Sequence, residues 1–183
     1  MKTALLLGGG GCLWSDVREA MALGRFDVVV ACNDAGTVWP GRLDAWVSLH
    51  PEKMGMWRAR REKAGHPAPG RVFAATEAKP DRVPVNVDET TDYLFPGQLA
   101  SGSSGLFAAK VALIDLGADR AVLCGIPMMV KGGHFFDPTH WLGANSHRQG
   151  WLEAMPQITG RVRSMSGWTA DQLGRPDKEW LGA

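Results

Sequence analysis

An α/β fold on a mainly parallel sheet follows from how apolar runs and glycine turns succeed one another along these 183 residues. Thr3–Leu7 and Phe26–Cys32 are continuous apolar runs rather than alternating ones, the pattern of strands buried on both faces. Between them lie a glycine turn and a helical pattern, and the whole unit takes about 30 residues, the length of a right-handed βαβ crossover. A Ser/Gly turn later introduces a second helical stretch and another apolar strand. The length suits a single domain that buries about 70% of its unfolded surface. Residues from about 156 to 183 read as a C-terminal extension of it.

Each element has its local cause. After strand Thr3–Leu7 the turn Gly8-Gly9-Gly10-Gly11 reverses the chain, and Ser15–Leu23 reads as a helix. Ser15 is its expected N-cap, Val17, Ala20, Met21 and Ala22 its apolar side, and Gly24 its stop. Strand Phe26–Cys32 ends at Asn33-Asp34-Ala35-Gly36, and Leu43–Leu49 is a short third strand. Pro51 suits a first helical turn, so Met54–Ala64 is expected as a charged amphipathic helix. Arg71–Ala75 is the fourth strand. Prolines make Lys79 to Pro96 mostly loop, with Val83–Val87 at best an edge strand. The turn Ser101-Gly102-Ser103-Ser104-Gly105 opens a helix from about Ser104 to Leu116, which Gly117 closes before strand Arg120–Gly125. Met128 to Asn145 lacks a period and reads as a long active-site-type loop entering a helix near Trp141–Met155. Arg161–Met165 is a last strand, and Thr169-Ala170-Asp171-Gln172 has capping-box spacing ahead of the stops Gly174 and Pro176.

Composition narrows the function classes. Apolar residues make up 45% and charged residues 21%, ordinary for a globular protein, and the net charge is +1. The one basic run, Arg58 to Lys63, reads as a solvated helix face, so nucleic-acid binding is not indicated. The three cysteines, Cys12, Cys32 and Cys124, have strand or turn contexts that suit reduced thiols in a cytoplasmic protein, and no Cys/His spacing suits a metal. The apolar run 4–7 meets glycine at once, so neither a signal peptide nor a membrane span is expected there.

The two glycine-bearing turns carry the chemistry. A turn without Cβ atoms at a helix N-terminus presents amide groups and the positive dipole end, which favour a phosphate or carboxylate. Ligands of open α/β sheets bind beyond the carboxyl ends of the strands, where both turns and Asn33 should lie. A dinucleotide fingerprint fails at its third glycine, where Leu13 or Trp14 stands, although Asp34 occupies the place of a ribose-binding acid. No Gly-Lys-Ser/Thr follows the glycines, so a P-loop kinase is not expected.

The order of these features is the glycine turn, Asn33 after strand two, the Ser101–Gly105 turn and helix, then Leu123-x-Gly125-Ile126. It resembles the bacterial sialyltransferases acting on lipooligosaccharide and the archaeal-type hydroxymethylpterin pyrophosphokinases, over residues 3–36 and 97–128. The resemblance implies a three-layer Rossmann-like domain and a nucleotide or nucleotide-sugar ligand, lined by Gly8, Gly9, Gly10, Asn33, Asp34, Ser101, Gly102 and Ser103. Pro127 stands where those families often have an acid, and no Asn or Ser follows the first glycines. The tail from Arg163 to Gly174 looks like that of small phage and prophage proteins, which implies a mobile-element role.

A transferase needs a base, for which histidine is suited near neutral pH. His134 is the first choice, then His50, then His140, with His147 unranked and His66 a surface residue. Eight tryptophans are many. Trp141 and Trp151 would share a face if their helix is continuous, Trp39 could stack on a base or sugar, and Trp168 and Trp180 would pin the tail to the domain or to a second copy. A nucleotide- or nucleotide-sugar-dependent transferase (glycosyl or pyrophosphoryl) heads the reading. A non-catalytic nucleotide-binding module and a structural protein of a mobile element stand beside it.

Overall fold

The computed structural model describes residues 1–76 and 86–182. Seven strands form one sheet: β1 (Thr3–Leu7), β2 (Val28–Cys32), β3 (Ala45–Ser48), β4 (Arg71–Ala75), β5 (Glu89–Thr91), β6 (Arg120–Cys124) and β7 (Val162–Ser164). Their order is β5-β4-β3-β2-β1-β6-β7, and every neighbouring pair is parallel. The chain runs outward from β1 to β5, then returns to lay β6 on the other side of β1. The switch point therefore lies between β1 and β6, and a crevice opens there beyond the strand ends.

Alternation along each strand sends successive side chains to opposite faces. Leu5, Leu7, Ala31, Trp46, Val72 and Val122 pack against Leu13, Val17 and Ala20 of α1 (Leu13–Leu23) and Met54 and Trp57 of α3 (Met54–Lys63). Ala4, Leu6, Val30, Val47, Phe73 and Leu123 face α4 (Ser103–Lys110) and α5 (Ala144–Ile158) through Leu106, Phe107, Ala109, Trp151 and Ile158. Short helix α2 (Ala35–Val38) follows β2, and α6 (Gly167–Leu173) and α7 (Lys178–Leu181) end the chain. The result is a three-layer, Rossmann-like α/β architecture, the fold class expected.

Several boundaries differ from expectation, each for a tertiary reason. α1 starts at Leu13, so Ser15 is not its N-cap; the Ser15 hydroxyl instead donates back to the Cys12 carbonyl at 2.8 Å. The earlier start lets Asp16, in the first turn, accept the Gly125 amide at 2.9 Å and the Ser166 hydroxyl at 2.7 Å. Pro51–Lys53 forms a 3₁₀ turn ahead of α3. Glu89–Thr91 pairs with β4 inside the stretch expected to be loop. The expected edge strand over residues 83–87 falls mainly outside the described residues.

α4 widens into a π-helical turn over Val111–Asp115. That turn sets Asp115 beside Lys110 at 3.0 Å, and Lys110 donates to Thr91 of β5 at 2.6 Å. α5 begins at Ala144 rather than near Trp141, so Trp141 and Trp151 share no helical face: Trp151 is in the core, and Trp141 stands in the preceding loop. Thr169 lies within α6 instead of capping it, with its hydroxyl donating to the Ile126 carbonyl at 2.6 Å. The tail tryptophans are engaged within the chain: Trp180 lies between Arg120 and Arg163, and Trp168 lies under Arg148.

Candidate functional site

A cleft of about 770 Å³ lies at the switch point. Its walls come from the turn after β1 (Gly8, Gly9, Gly10), from Cys32 and Asn33 after β2, and from Leu49, His50 and Pro51 after β3. Ser101, Ser103, Ser104 and Gly105 at the start of α4 face them, together with Gly125 to Met128 after β6, His134, Trp141 and His147. The two glycine-bearing turns thus meet across one crevice. Asp34 and Gly102 stand just behind the lining, and His140 is exposed outside it.

The two turns play different parts. The amides of Gly8, Gly10 and Gly11 donate to the carbonyls of Cys124, Gly125 and Gly133 at 2.8, 2.8 and 3.0 Å. They are therefore occupied, and the first turn is less a cradle for an anion than a seat for the loop after β6. Glycine is required for that close approach: a Cβ on Gly10 would lie 2.8 Å from Pro127 Cδ and 2.9 Å from the Gly125 carbonyl. The second turn keeps its amides open. The Ser103 and Gly105 amides reach only the hydroxyls of Ser101 and Ser103, at 3.3 and 3.4 Å, and the helix behind them supplies its dipole. The amides suited to an anion are those at the start of α4.

Backbone strain gathers at the same place. Of the four non-glycine residues with positive φ among the described residues, Asn33 (50°), Ser103 (70°) and Met128 (48°) all line the cleft. Such conformations cost on the order of 1 kcal/mol each and persist where the surroundings over-determine them. Asn33 shows how: its amide donates to the Val47 carbonyl at 3.0 Å, its carbonyl accepts Trp46 Nε1 at 2.5 Å, and its Oδ1 accepts the Ser48 hydroxyl at 2.8 Å.

Loop 132–135 is stitched onto the glycine turn, with Phe135 N donating to the Gly9 carbonyl at 3.0 Å and Gly10 bridging to His134. This sets the His134 ring over Gly9, stacked on Phe136 (5.2 Å between centroids) and tilted against Trp141. His134 Nδ1 is buried and, among the described residues, without a hydrogen-bond partner. Asp34 also lies beside Gly9, near His134; burial pushes its carboxyl above the usual range, and neighbouring His134 and Lys53 pull it back. His50 lies 3.2 Å from Glu52 through Nδ1. His147, on the first turn of α5, stacks on Trp141 and sets Nδ1 3.2 Å from the Ser101 carbonyl. A carbonyl only accepts, so Nδ1 carries the proton and Nε2 is the basic nitrogen. Sequence left His147 unranked because its role depends on the α5–Ser101 contact. Among the described residues no group of three or more His, Cys, Asp or Glu side chains is placed to hold a metal ion, and no helix is long and apolar enough to cross a membrane.

No known family profile matches the chain, and no curated protein matches its sequence. Solved structures do match in shape. The sialyltransferase CstII from Campylobacter jejuni, in complex with the substrate analogue CMP-3FNeuAc, is 14% identical, covers 97% of this chain and 88% of its own, and superposes with a TM-score of 0.63. The CST-II sialyltransferase with a trisaccharide acceptor and CMP is 12% identical over 97% and 87%, with a TM-score of 0.64. This chain is similar to a sialyltransferase in fold.

Proposed function

We propose that this protein is a nucleotide-sugar-dependent glycosyltransferase whose donor is a CMP-linked sugar. One observation carries the reading: Asn33, the α4 N-terminus and two histidines, His134 with a buried Nδ1 that has no hydrogen-bond partner among the described residues and His147 with its Nδ1 at the Ser101 carbonyl, line one cleft at the switch point. The shared fold of the CMP-bound sialyltransferases supports the choice of nucleotide. Gly8 to Gly10 and Asn33 flank the nucleoside, and Ser101, Ser103 and the amides after Gly102 hold the phosphate. An acceptor hydroxyl attacks the anomeric carbon as the bond to the phosphate oxygen breaks. Nε2 of His147 takes the hydroxyl proton, with His134 and His50 orienting the sugars, and the nucleotide leaves onto the positive end of α4. A pyrophosphoryl transfer would need charge neutralisation that the glycine turn, with the amides of Gly8, Gly10 and Gly11 occupied, does not supply.

The test is a thermal-shift panel of CMP, UDP, GDP, ATP and NAD, followed by donor turnover. CMP at a hundredfold excess over its Kd should stabilise the protein by about 2.7 kcal/mol. His147→Ala should lower kcat roughly 10²–10⁴-fold while CMP affinity holds within a few-fold. Absence of any shift with the panel would defeat the proposal, and CMP binding without turnover of any CMP-sugar would make the chain a binding module instead.

A further inference from the structure

Ser48 does not line the cleft, yet it determines what the cleft presents. It is the last residue of β3 and fully buried, at 0% exposure. Its Oγ accepts the His50 amide at 2.8 Å and lies 2.8 Å from Asn33 Oδ1. A buried hydroxyl hydrogen needs an acceptor, because leaving it unpaired costs the full desolvation penalty. Among the described residues Asn33 Oδ1 is the acceptor available to it, since the His50 amide is itself a donor. That bond fixes the Asn33 carboxamide with its oxygen inward. Its Nδ2, which has no partner among the described residues, is left as the polar group offered to the cleft.

We infer that Ser48 is a positioning residue that locks Asn33 as a hydrogen-bond donor, so that the ligand group docking there must be an acceptor: a carbonyl or ring nitrogen of a nucleobase, or an unprotonated sugar oxygen. The inference rests on the nucleotide reading for the ligand's identity, but the orientation of Asn33 can be measured without any ligand. The main chain that carries the carboxamide is fixed as well. The backbone of Asn33 is held on both sides, by Val47 and by the Trp46 indole, in a left-handed conformation. Only rotation of the amide itself could exchange donor for acceptor, and that rotation would set Nδ2 against the Ser48 hydroxyl. His50 is coupled to the same point through its amide, so the end of β3 and the end of β2 are set by one hydroxyl.

Two measurements decide it. In the free, isotope-labelled protein, the Asn33 Nδ2 protons should exchange with water and show no strong nuclear Overhauser contact to the Ser48 β protons. A strong contact means that the carboxamide is reversed and overturns the inference whatever the protein binds. With CMP as probe, Ser48→Ala should weaken binding about tenfold, Ser48→Thr should restore it, and Ser48→Ala should add nothing in an Asn33→Ala background. An equal loss in both backgrounds shows that Ser48 does not act through Asn33, and overturns the inference. Should the wild-type protein not bind CMP, the glycosyltransferase reading fails while the resonance measurement still decides the orientation of Asn33.

Discussion

Gly9 is where the smallest change should have the largest functional effect. A Cβ there would lie 2.5 Å from His134 Nδ1 and 3.3 Å from Asp34 Oδ1, so Gly9→Ala must displace the imidazole. The stability cost should stay at about 1–3 kcal/mol, because a ring on a surface loop can yield. CMP affinity and turnover should fall at least about tenfold, so calorimetric titration beside urea unfolding separates the two effects. Asp34 gives a pH-dependent test. Burial raises its carboxyl above the ordinary 3.8, so the folded protein holds this proton more tightly than the unfolded chain does. The resulting stabilisation is complete below pH 3.8 and is lost as pH rises through the folded value; at neutral pH the buried carboxylate is a net burden. Asp34→Asn should therefore raise Tm at pH 7, and the margin should vanish below pH 3.8. A margin indifferent to pH would refute the assignment. The thiols follow the same logic: burial pushes Cys12 up to about 11 and Cys32 up to about 12, and Cys124 higher still. At pH 8 the native protein should leave all three unreacted toward a disulfide reagent over minutes, with urea releasing them.

At the scale of elements, the stretch of chain that follows Asn33 is held by a guanidinium that no motif announces. Arg61 of α3 is 1% exposed and donates to the carbonyls of Pro67, Gly36, Trp39 and Gly41 at 2.6 to 2.7 Å. Gly36, Trp39 and Gly41 belong to α2 and the loop that follows it, Pro67 to the loop between α3 and β4, and Gly36 itself sits on the Trp46 ring. Arg61→Met would leave the buried Gly36 carbonyl and three part-buried ones without their donor, at about 1–3 kcal/mol for the buried one, and lysine cannot reproduce the planar fork. Both variants should lower stability by roughly 3 kcal/mol or more in urea, with Lys no real rescue; a loss under 1 kcal/mol would mean that water replaces the guanidinium. What sequence could and could not show divides along the same line. Strands β1, β2 and β6 were legible because strands buried on both faces must be continuously apolar. β5 was not, since Glu89-Thr90-Thr91 is an edge strand whose polar side chains carry no such signal. The positions of Gly8, Asn33 and Ser101 at the strand and helix ends followed from turn chemistry. The start of α1, the burial of Arg61, the Ser48–Asn33 bond and the place of His147 arise from contacts between residues far apart in the chain, and local pattern is blind to those.

The whole molecule is expected to unfold as one unit, although residues from about 156 onward read in sequence as an appendage. β7 completes the sheet beside β6, and the segment after it reaches back into the site's foundations. Ser166 and Gly125 share the carboxylate of Asp16, which ties the tail, the end of β6 and the first turn of α1 together. Thr169 holds the Ile126 carbonyl, and Gly167 is packed so close to Pro127 that a Cβ there would lie 2.5 Å from the Pro127 carbonyl. The loop that seats His134 therefore starts from a strand end fixed by the tail. Deleting residues 161–183 would remove an entire strand, uncover β6 and leave the Asp16 carboxylate without its hydroxyl partner, so the remainder should be unable to hold the cleft. Scanning calorimetry of the full chain should give one transition with equal calorimetric and van't Hoff enthalpies. The deletion variant should lose that transition, and its CMP response with it. Two resolved transitions, or a truncated chain that still melts cooperatively and binds CMP, would show that the tail is separable and that the cleft stands without it.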